Sequence, residues 1–296
     1  MMKFLFERMD EPTEPSWNCA DTVWRQPQRG PSLREHPDLW RMMWNWHCGA
    51  DHSADFASCS ARGDIKELVE SLSHEDEAVC LDSAYALGAI GAATVPLLLI
   101  KLVEESACSP RVPINIGHLM GGNPAELSYA AFALATIGEP AVPGLIELLQ
   151  YEDWPVRAMA ADTLFEMGPP GGGAAPALCV ALRDRSVEVR LRAGQALGTI
   201  RPPADLVAPS LIEALKQTET GDERSGIARA CMIGALARNV PSPGIALPAF
   251  VEAIRDENRD VRYYAAAGLE RLGTAESLRA LDGFYATRPN ERQDAA

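Results

Sequence analysis

Five prolines near the start of apolar runs, Pro96, Pro143, Pro176, Pro209 and Pro248, divide the chain at intervals of 47, 33, 33 and 39 residues. Leucines late in alanine-rich runs, Leu87, Leu134, Leu164, Leu197, Leu236 and Leu269, give 47, 30, 33, 39 and 33. The two rulers largely agree although they are built from different residue types, and self-similarity at this period is the signature of stacked repeats. One unit reads most clearly from Ala174 to Ile200. Ala174 to Leu182 places apolar residues at helical spacing behind a first-turn proline, where the missing N–H costs nothing. Asp184 to Ser186 read as turn and cap. Val189, Ala193, Ala196, Leu197 and Ile200 then recur at three and four, one face of a second helix. Val-Arg recurs near the start of such second helices at Val156-Arg157, Val189-Arg190 and Val261-Arg262.

A helix pair of this length cannot cover its own apolar face, so neighbouring pairs must stack into one continuous core, an all-α solenoid. Ala158, Ala160 and Ala161, with Ala193, Gly194 and Ala196 one unit on, allow close approach between successive second helices. The pattern resembles the HEAT-repeat family in its short bacterial form, over about residues 64 to 273, and the resemblance implies fold rather than activity. Six units are expected, at roughly 64–91, 92–138, 139–168, 169–200, 201–238 and 239–273. A capping helix at Ala275 to Ala286 and a C-terminal tail complete residues 274–296.

The second unit is expanded. Its first helix is expected to end near Glu105 and its second to start near Pro124, which leaves an apolar insertion containing Ile114, Ile116, Leu119 and Met120. These side chains either fold back on the solenoid or meet a partner, and long ordered loops often carry function. Arg111, Asn115 and His118 are the candidate contacts of this loop. A milder expansion spans Gln217 to Arg224.

With 41 acidic and 27 basic residues the net charge is −14, which argues against partners that present phosphates, whether a duplex or an anionic membrane surface. The longest apolar run, Val95 to Val103, contains Lys101 and is shorter than a bilayer span, and the charges of Met1 to Met9 do not suit a secretory signal. Seven scattered cysteines, an odd number, fit thiols in a reducing compartment, and a cytoplasmic location is expected.

Chemistry has little foothold. His47, Cys48, Asp51 and His52, with Cys59 beyond, match no zinc signature. Deoxyhypusine hydroxylase binds iron through repeated His-Glu pairs on HEAT-like repeats, whereas His74-Glu75 is the one such pair here. Nucleophile-elbow and phosphate-loop motifs are absent. Gly171 to Gly173 read as a flexible turn between units, and Glu75, Asp76 and Glu77 as a solvated turn opening a helix.

Residues 1–63 are composed differently. Trp17, Trp24, Trp40, Trp44 and Trp46 are five of the six tryptophans, and Phe4 and Phe6 join them. Lys3 to Arg8 alternates like a short strand, Glu11 to Pro31 is proline-punctuated coil, and Pro37 to Cys48, with Leu39, Met43 and Trp46 at helical spacing, reads as an amphipathic helix. A lone strand must join some sheet, and the repeats offer none.

Met2-Lys3-Phe4-Leu5-Phe6, Arg8-Met9, Glu11-Pro12 and Pro15-Ser16-Trp17 resemble the segment that closes the double-stranded β-helix in phytanoyl-CoA dioxygenase-like proteins carrying a C-terminal HEAT solenoid. In that family two histidines and a carboxylate hold iron and an arginine anchors 2-oxoglutarate, all upstream of the matching segment, so none maps onto this chain. The resemblance therefore implies a non-catalytic subunit. Lys3, Phe4, Phe6, Trp17, Trp24, Trp40, Trp44 and Trp46 would dock on a separately encoded dioxygenase holding the iron(II) and 2-oxoglutarate. A stand-alone scaffold for an unrelated protein is the alternative. An enzyme in its own right is a third reading, for which no constellation is found.

Overall fold

The computed structural model describes residues 65–108, 128–218, 221–239, 242–288, 290 and 291. The expected strand, the tryptophan-rich arm and the core of the insertion lie outside the described residues. Among those described there are α-helices, short 3-10 turns and no strand.

The thirteen α-helices among the described residues form six pairs and a cap. The first helices of the pairs, the A layer, are α1 (Ile65–Ser71), α3 (Val95–Cys108), α5 (Val142–Leu148), α7 (Ala175–Ala181), α9 (Ala204–Gln217) and α11 (Pro243–Ala253). The second helices, the B layer, are α2 (Glu77–Ile90), α4 (Tyr129–Ile137), α6 (Trp154–Met167), α8 (Val187–Ile200), α10 (Glu223–Asn239) and α12 (Arg259–Leu272), and α13 (Ala275–Thr287) follows. Helix α4 begins at Tyr129, capped by Ser128, later than its sequence placed it. Leu281 and Phe284 of α13 are buried against the last pair.

Both rulers mark the core. All six landmark leucines are fully buried, as are the residues two beyond each proline: Leu98, Leu145, Leu178, Leu211 and Phe250. Burying one such side chain contributes about 1.5–3 kcal/mol. Pro96, Pro143 and Pro176 stand at the second position of α3, α5 and α7, as the first-turn rule requires. Pro209 and Pro248 depart from it and lie inside α9 and α11. In the earlier units a 3-10 turn precedes the proline (Gly91–Thr94, Glu139–Ala141, Pro169–Ala174), whereas in the last two the α-helix runs on through that turn.

Four residues after the core leucines the chain leaves the B helix. Gly91, Gly138 and Gly168 do so at φ 80, 76 and 65 with ψ near −140, a region essentially closed to side chains, while Arg201 holds the same place in left-handed helical geometry at φ 53. Gly171 to Gly173 belong to a 3-10 turn rather than a flexible link. A Cβ on Gly171 would stand 3.2 Å from Ile200 Cδ1, so close packing explains a glycine there.

Successive B helices pack along one another throughout the row, whereas successive A helices touch at few points, and α5 meets the next unit largely through the turn Pro169–Ala174. A Cβ on Gly194 would approach Cys231 and the Met232 nitrogen at 3.3 Å, which shows how closely α8 and α10 approach. The layer with the tighter spacing lies inside the curve, so the B helices form the concave face.

Arginines lock the units in register. Arg157 is buried and donates from Nε and Nη2 to the Asp184 carboxylate of the next unit at 2.7 and 2.9 Å. Its Nη1 donates to the carbonyls of Tyr151 and Glu152 at 2.8 and 2.7 Å. Arg229 repeats the fork on Asp256, again 27 residues on, with both bonds at 3.0 Å. Each aspartate also accepts the backbone N–H two residues later, Ser186 or Asn258, at 2.8 Å. Ser186 occupies the N-cap position, but its side chain makes no capping bond. At the C-terminal end Arg262 forks onto Glu291 and closes its own turn on the carbonyls of Asp256 and Glu257.

The stretch Ala78–Ser106 has a mean hydropathy of 2.0 and is long and apolar enough to cross a membrane, more than the run Val95 to Val103 suggested. It is two 14-residue helices broken at Gly91, and Ala84, Leu87, Leu98 and Leu102 from both are fully buried in the core of the solenoid.

Candidate protein-binding face

Five and two residues before the core leucine, and two after it, the B helices bring a second set of side chains to one side of the layer, with Tyr85, Arg192 and Tyr264 buried and Glu166 and Arg271 exposed. At the N-terminal end this brings Tyr85 of α2 and Phe132 of α4 edge to face, with ring centroids 5.0 Å apart and planes at 88°. Burial, with Asp82 adding to it, raises the Tyr85 phenol further above its ordinary range. Helix α6 contributes Asp162 and exposed Glu166, and α8 contributes Arg192, Gln195 and Thr199. Arg192 Nη1 donates to Asp162 Oδ1 at 2.7 Å, joining two units across the face. Thr199 donates to the Phe165 carbonyl at 3.2 Å and so ties α8 back to α6. Helix α10 adds Cys231 and Arg238, and α12 adds Tyr264 and Arg271, with Tyr263 packed at 5.3 Å on Tyr264.

Burial pushes the Cys231 thiol up to about 12, with Asp260 adding and Arg192 and Arg238 opposing, so it stays protonated at neutral pH. Cys179, on the other layer, is likewise raised by burial despite its hydrogen bond with Ser210. Among the described residues no group of three or more His, Cys, Asp or Glu side chains is placed to hold a metal ion. The opposite, convex face carries a shallow groove of about 470 Å³ between α7 and α9, where Val180 and Leu206 are exposed beside Arg183 and Ser210.

The contacts expected from the sequence, Lys3, Phe4, Phe6, Trp17, Trp24, Trp40, Trp44, Trp46, Arg111, Asn115 and His118, all lie outside the described residues. No residue of the concave row was among these expected contacts, although its signal was present. Counting two residues before and after each ruler leucine finds Tyr85, Phe132, Asp162, Glu166, Gln195, Thr199, Arg238 and Arg271.

Among known proteins, the PBS lyase HEAT-like repeat matches residues 127–151, a span that takes in α4, the turn after it and α5. No curated protein matches the chain. Two crystal structures of engineered proteins are similar at 18% and 21% identity, each over 71% of this chain and 97% and 98% of their own, with TM-scores of 0.42 and 0.41. A designed armadillo repeat protein, solved in complex with the peptide (KR)4, is 21% identical over 71% of this chain and all of its own, with a TM-score of 0.39. The order of the helices, the shared core and the HEAT-like repeat make the chain a helical repeat solenoid, a scaffold suited to protein interaction.

Proposed function

We propose that this chain is a non-catalytic scaffold that holds another protein against the concave face of its B helices. The observation that carries this reading is the continuous B layer itself. Six successive helices bring side chains of one register to the same side, where Tyr264 belongs to the buried core and Phe132, Gln195, Arg238 and Arg271 remain at least partly open to solvent. Large aromatics and arginines are the residues that dominate interface energies, and Phe132, Arg238 and Arg271 supply both kinds. The test is co-purification from the native source with the wild-type chain and with Phe132→Ser and Arg238→Glu, against Val180→Lys on the convex face. Loss of the same partner with the first two and retention with the third is expected. The reverse pattern would refute the assignment of the face.

A narrower form of the reading makes the partner an iron(II)/2-oxoglutarate-dependent oxygenase of the phytanoyl-CoA dioxygenase type, which would hold the metal and co-substrate. Its support is the resemblance of Met2 to Trp17, so its test is separate: co-expression with such an enzyme, with and without residues 1–48. Stable complex and iron-dependent turnover with the full chain, and neither with the truncated one, is the expected result. Iron-dependent succinate production by this chain alone would overturn it.

A further inference from the structure

Each B helix from the third unit on carries an arginine seven residues before its core leucine: Arg157, Arg190, Arg229 and Arg262. Three of the four end on a carboxylate. Arg157 forks onto Asp184, Arg229 onto Asp256 and Arg262 onto Glu291, in each case from Nε and Nη2. Arg190 is clamped like its sisters. Its Nη1 donates to the carbonyls of Asp184 and Arg185 at 2.9 and 3.4 Å, six and five residues back, as Arg157 and Arg262 do in their own units. Yet its Nε is buried without an acceptor, it makes no ion pair among the described residues, and it is half-buried where the other three are buried. The reason lies in α10. Helices α6, α8 and α12 begin ten residues before their core leucine, whereas α10 begins thirteen before its own. The extra turn draws Glu223, which the leucine register matches to Asp184 and Asp256, into the helix, where it is exposed. Other acids close by have partners: Asp184 is held by Arg157, Glu188 by Arg224, and Asp222 accepts the Ser225 N–H at 2.9 Å.

We infer that Arg190 is a carboxylate-binding site, filled by one aspartate or glutamate side chain that the partner presents at the edge of the solenoid where the A–B turns line up. This takes from the reading above only that a protein partner exists, and it holds whichever face that partner covers. The chemistry is that of the three sister arginines: a planar fork meets both oxygens of a carboxylate with charge-assisted hydrogen bonds. Two features favour an arriving ligand. Drying the Nε–H is costly, and the free chain already bears that cost. The bonds from Nη1 also preset the guanidinium, so little side-chain freedom remains to be lost on binding. The chain covers Nε, so the first oxygen meets Nη2 and the second reaches Nε as the turn before α10 yields. A net charge of −14 repels an acidic tract, which makes a single acidic side chain the fitting occupant.

Panning a random dodecapeptide library displayed on phage against the full chain, after depletion on Arg190→Lys, tests this, with affinities read by fluorescence anisotropy. The lysine keeps the charge and loses the planar fork. The expected peptides share an aspartate or glutamate whose change to asparagine or glutamine costs at least tenfold in affinity for the wild-type chain and less than twofold for Arg190→Lys. Selected peptides without that coupling, or an absence of binders, would overturn the inference. Urea unfolding of the free chain separates the two sources of a carboxylate. Glu219→Gln and Glu223→Gln should leave the midpoint unchanged. A midpoint lowered equally by Arg190→Lys and by either glutamine variant, with no further drop in the double variant, would assign the carboxylate to this chain and overturn the external occupant. Neither result bears on the concave-face reading, which the co-purification with Phe132→Ser and Arg238→Glu decides separately.

Discussion

Arg157→Ala removes the side chain that joins the third unit to the fourth. Its guanidinium donates four hydrogen bonds of 2.7 to 2.9 Å, two to the Asp184 carboxylate and two to the carbonyls of Tyr151 and Glu152, and both members of the ion pair are almost out of solvent. Truncating one partner of a buried pair leaves the other charge uncompensated, which costs about 3–5 kcal/mol. Arg157→Lys keeps the charge but not the planar fork, so it should recover only part of the loss. Asp184→Asn keeps the acceptor for Ser186 N–H and should cost less, about 1.5–3 kcal/mol. The assay is urea unfolding combined with hydrogen exchange, because nearest-neighbour stacking confines the damage to the units on either side of the broken junction. Exchange should accelerate in α5 to α8 first. Arg183→Ala, an exposed arginine on the next A–B turn, is the control and should stay within about 0.5 kcal/mol of wild type. A loss below about 1 kcal/mol for Arg157→Ala, or one spread evenly over all helices, would refute the idea that these forks hold the repeats in register.

Three further perturbations test the local reasoning. Gly91→Ala should destabilise by about 1–3 kcal/mol from backbone conformation alone, since a Cβ there meets nothing within 4 Å, while Gly172→Ala, equally open but without a positive φ, should be near neutral in the same thermal melt. Arg201→Gly should stabilise by about 0.5–1 kcal/mol, because Arg201 is the one non-glycine residue at positive φ among those described. Burial raises the Glu105 carboxyl above its usual range, although Ser128 donates to it at 2.6 Å and lowers it in part. A raised folded pKa means that the folded state binds the proton more tightly, so wild-type stability falls as pH rises through that range. Glu105→Gln should therefore be the more stable at pH 7, with the difference vanishing in melts at pH 3–4.

The periodic parts of the fold were legible because they are written in local chemistry. A proline two residues ahead of a buried leucine, and a glycine four residues behind another, repeat in the sequence as they do in space. Pro209 and Pro248 broke the first-turn rule because nothing local says whether the preceding turn will be 3-10 or α-helical. The Val-Arg landmark was visible at Arg157, Arg190 and Arg262, but its role was not. The aspartate that answers Arg157 lies 27 residues away, and only stacking shows which turn it belongs to. The concave row was hidden for a related reason. Tyr85, Glu166 and Arg238 are far apart in sequence and different in kind, and they become a set only when the B helices are laid side by side. The tryptophans drew attention by their composition, whereas Glu166 and Arg238 drew none.

Photo-crosslinking in the complex shows which face of the solenoid a partner touches. A benzophenone side chain is placed in turn at Thr136 and Gln195 on the concave face and at Val180 and Leu206 on the convex face, and each chain is irradiated with its co-purified partner. Crosslinks from Thr136 and Gln195 and none from Val180 and Leu206 are expected if the partner lies on the B helices. A partner that crosslinks only from Val180 and Leu206, or a stable complex with no crosslink from either B-helix position, would contradict it.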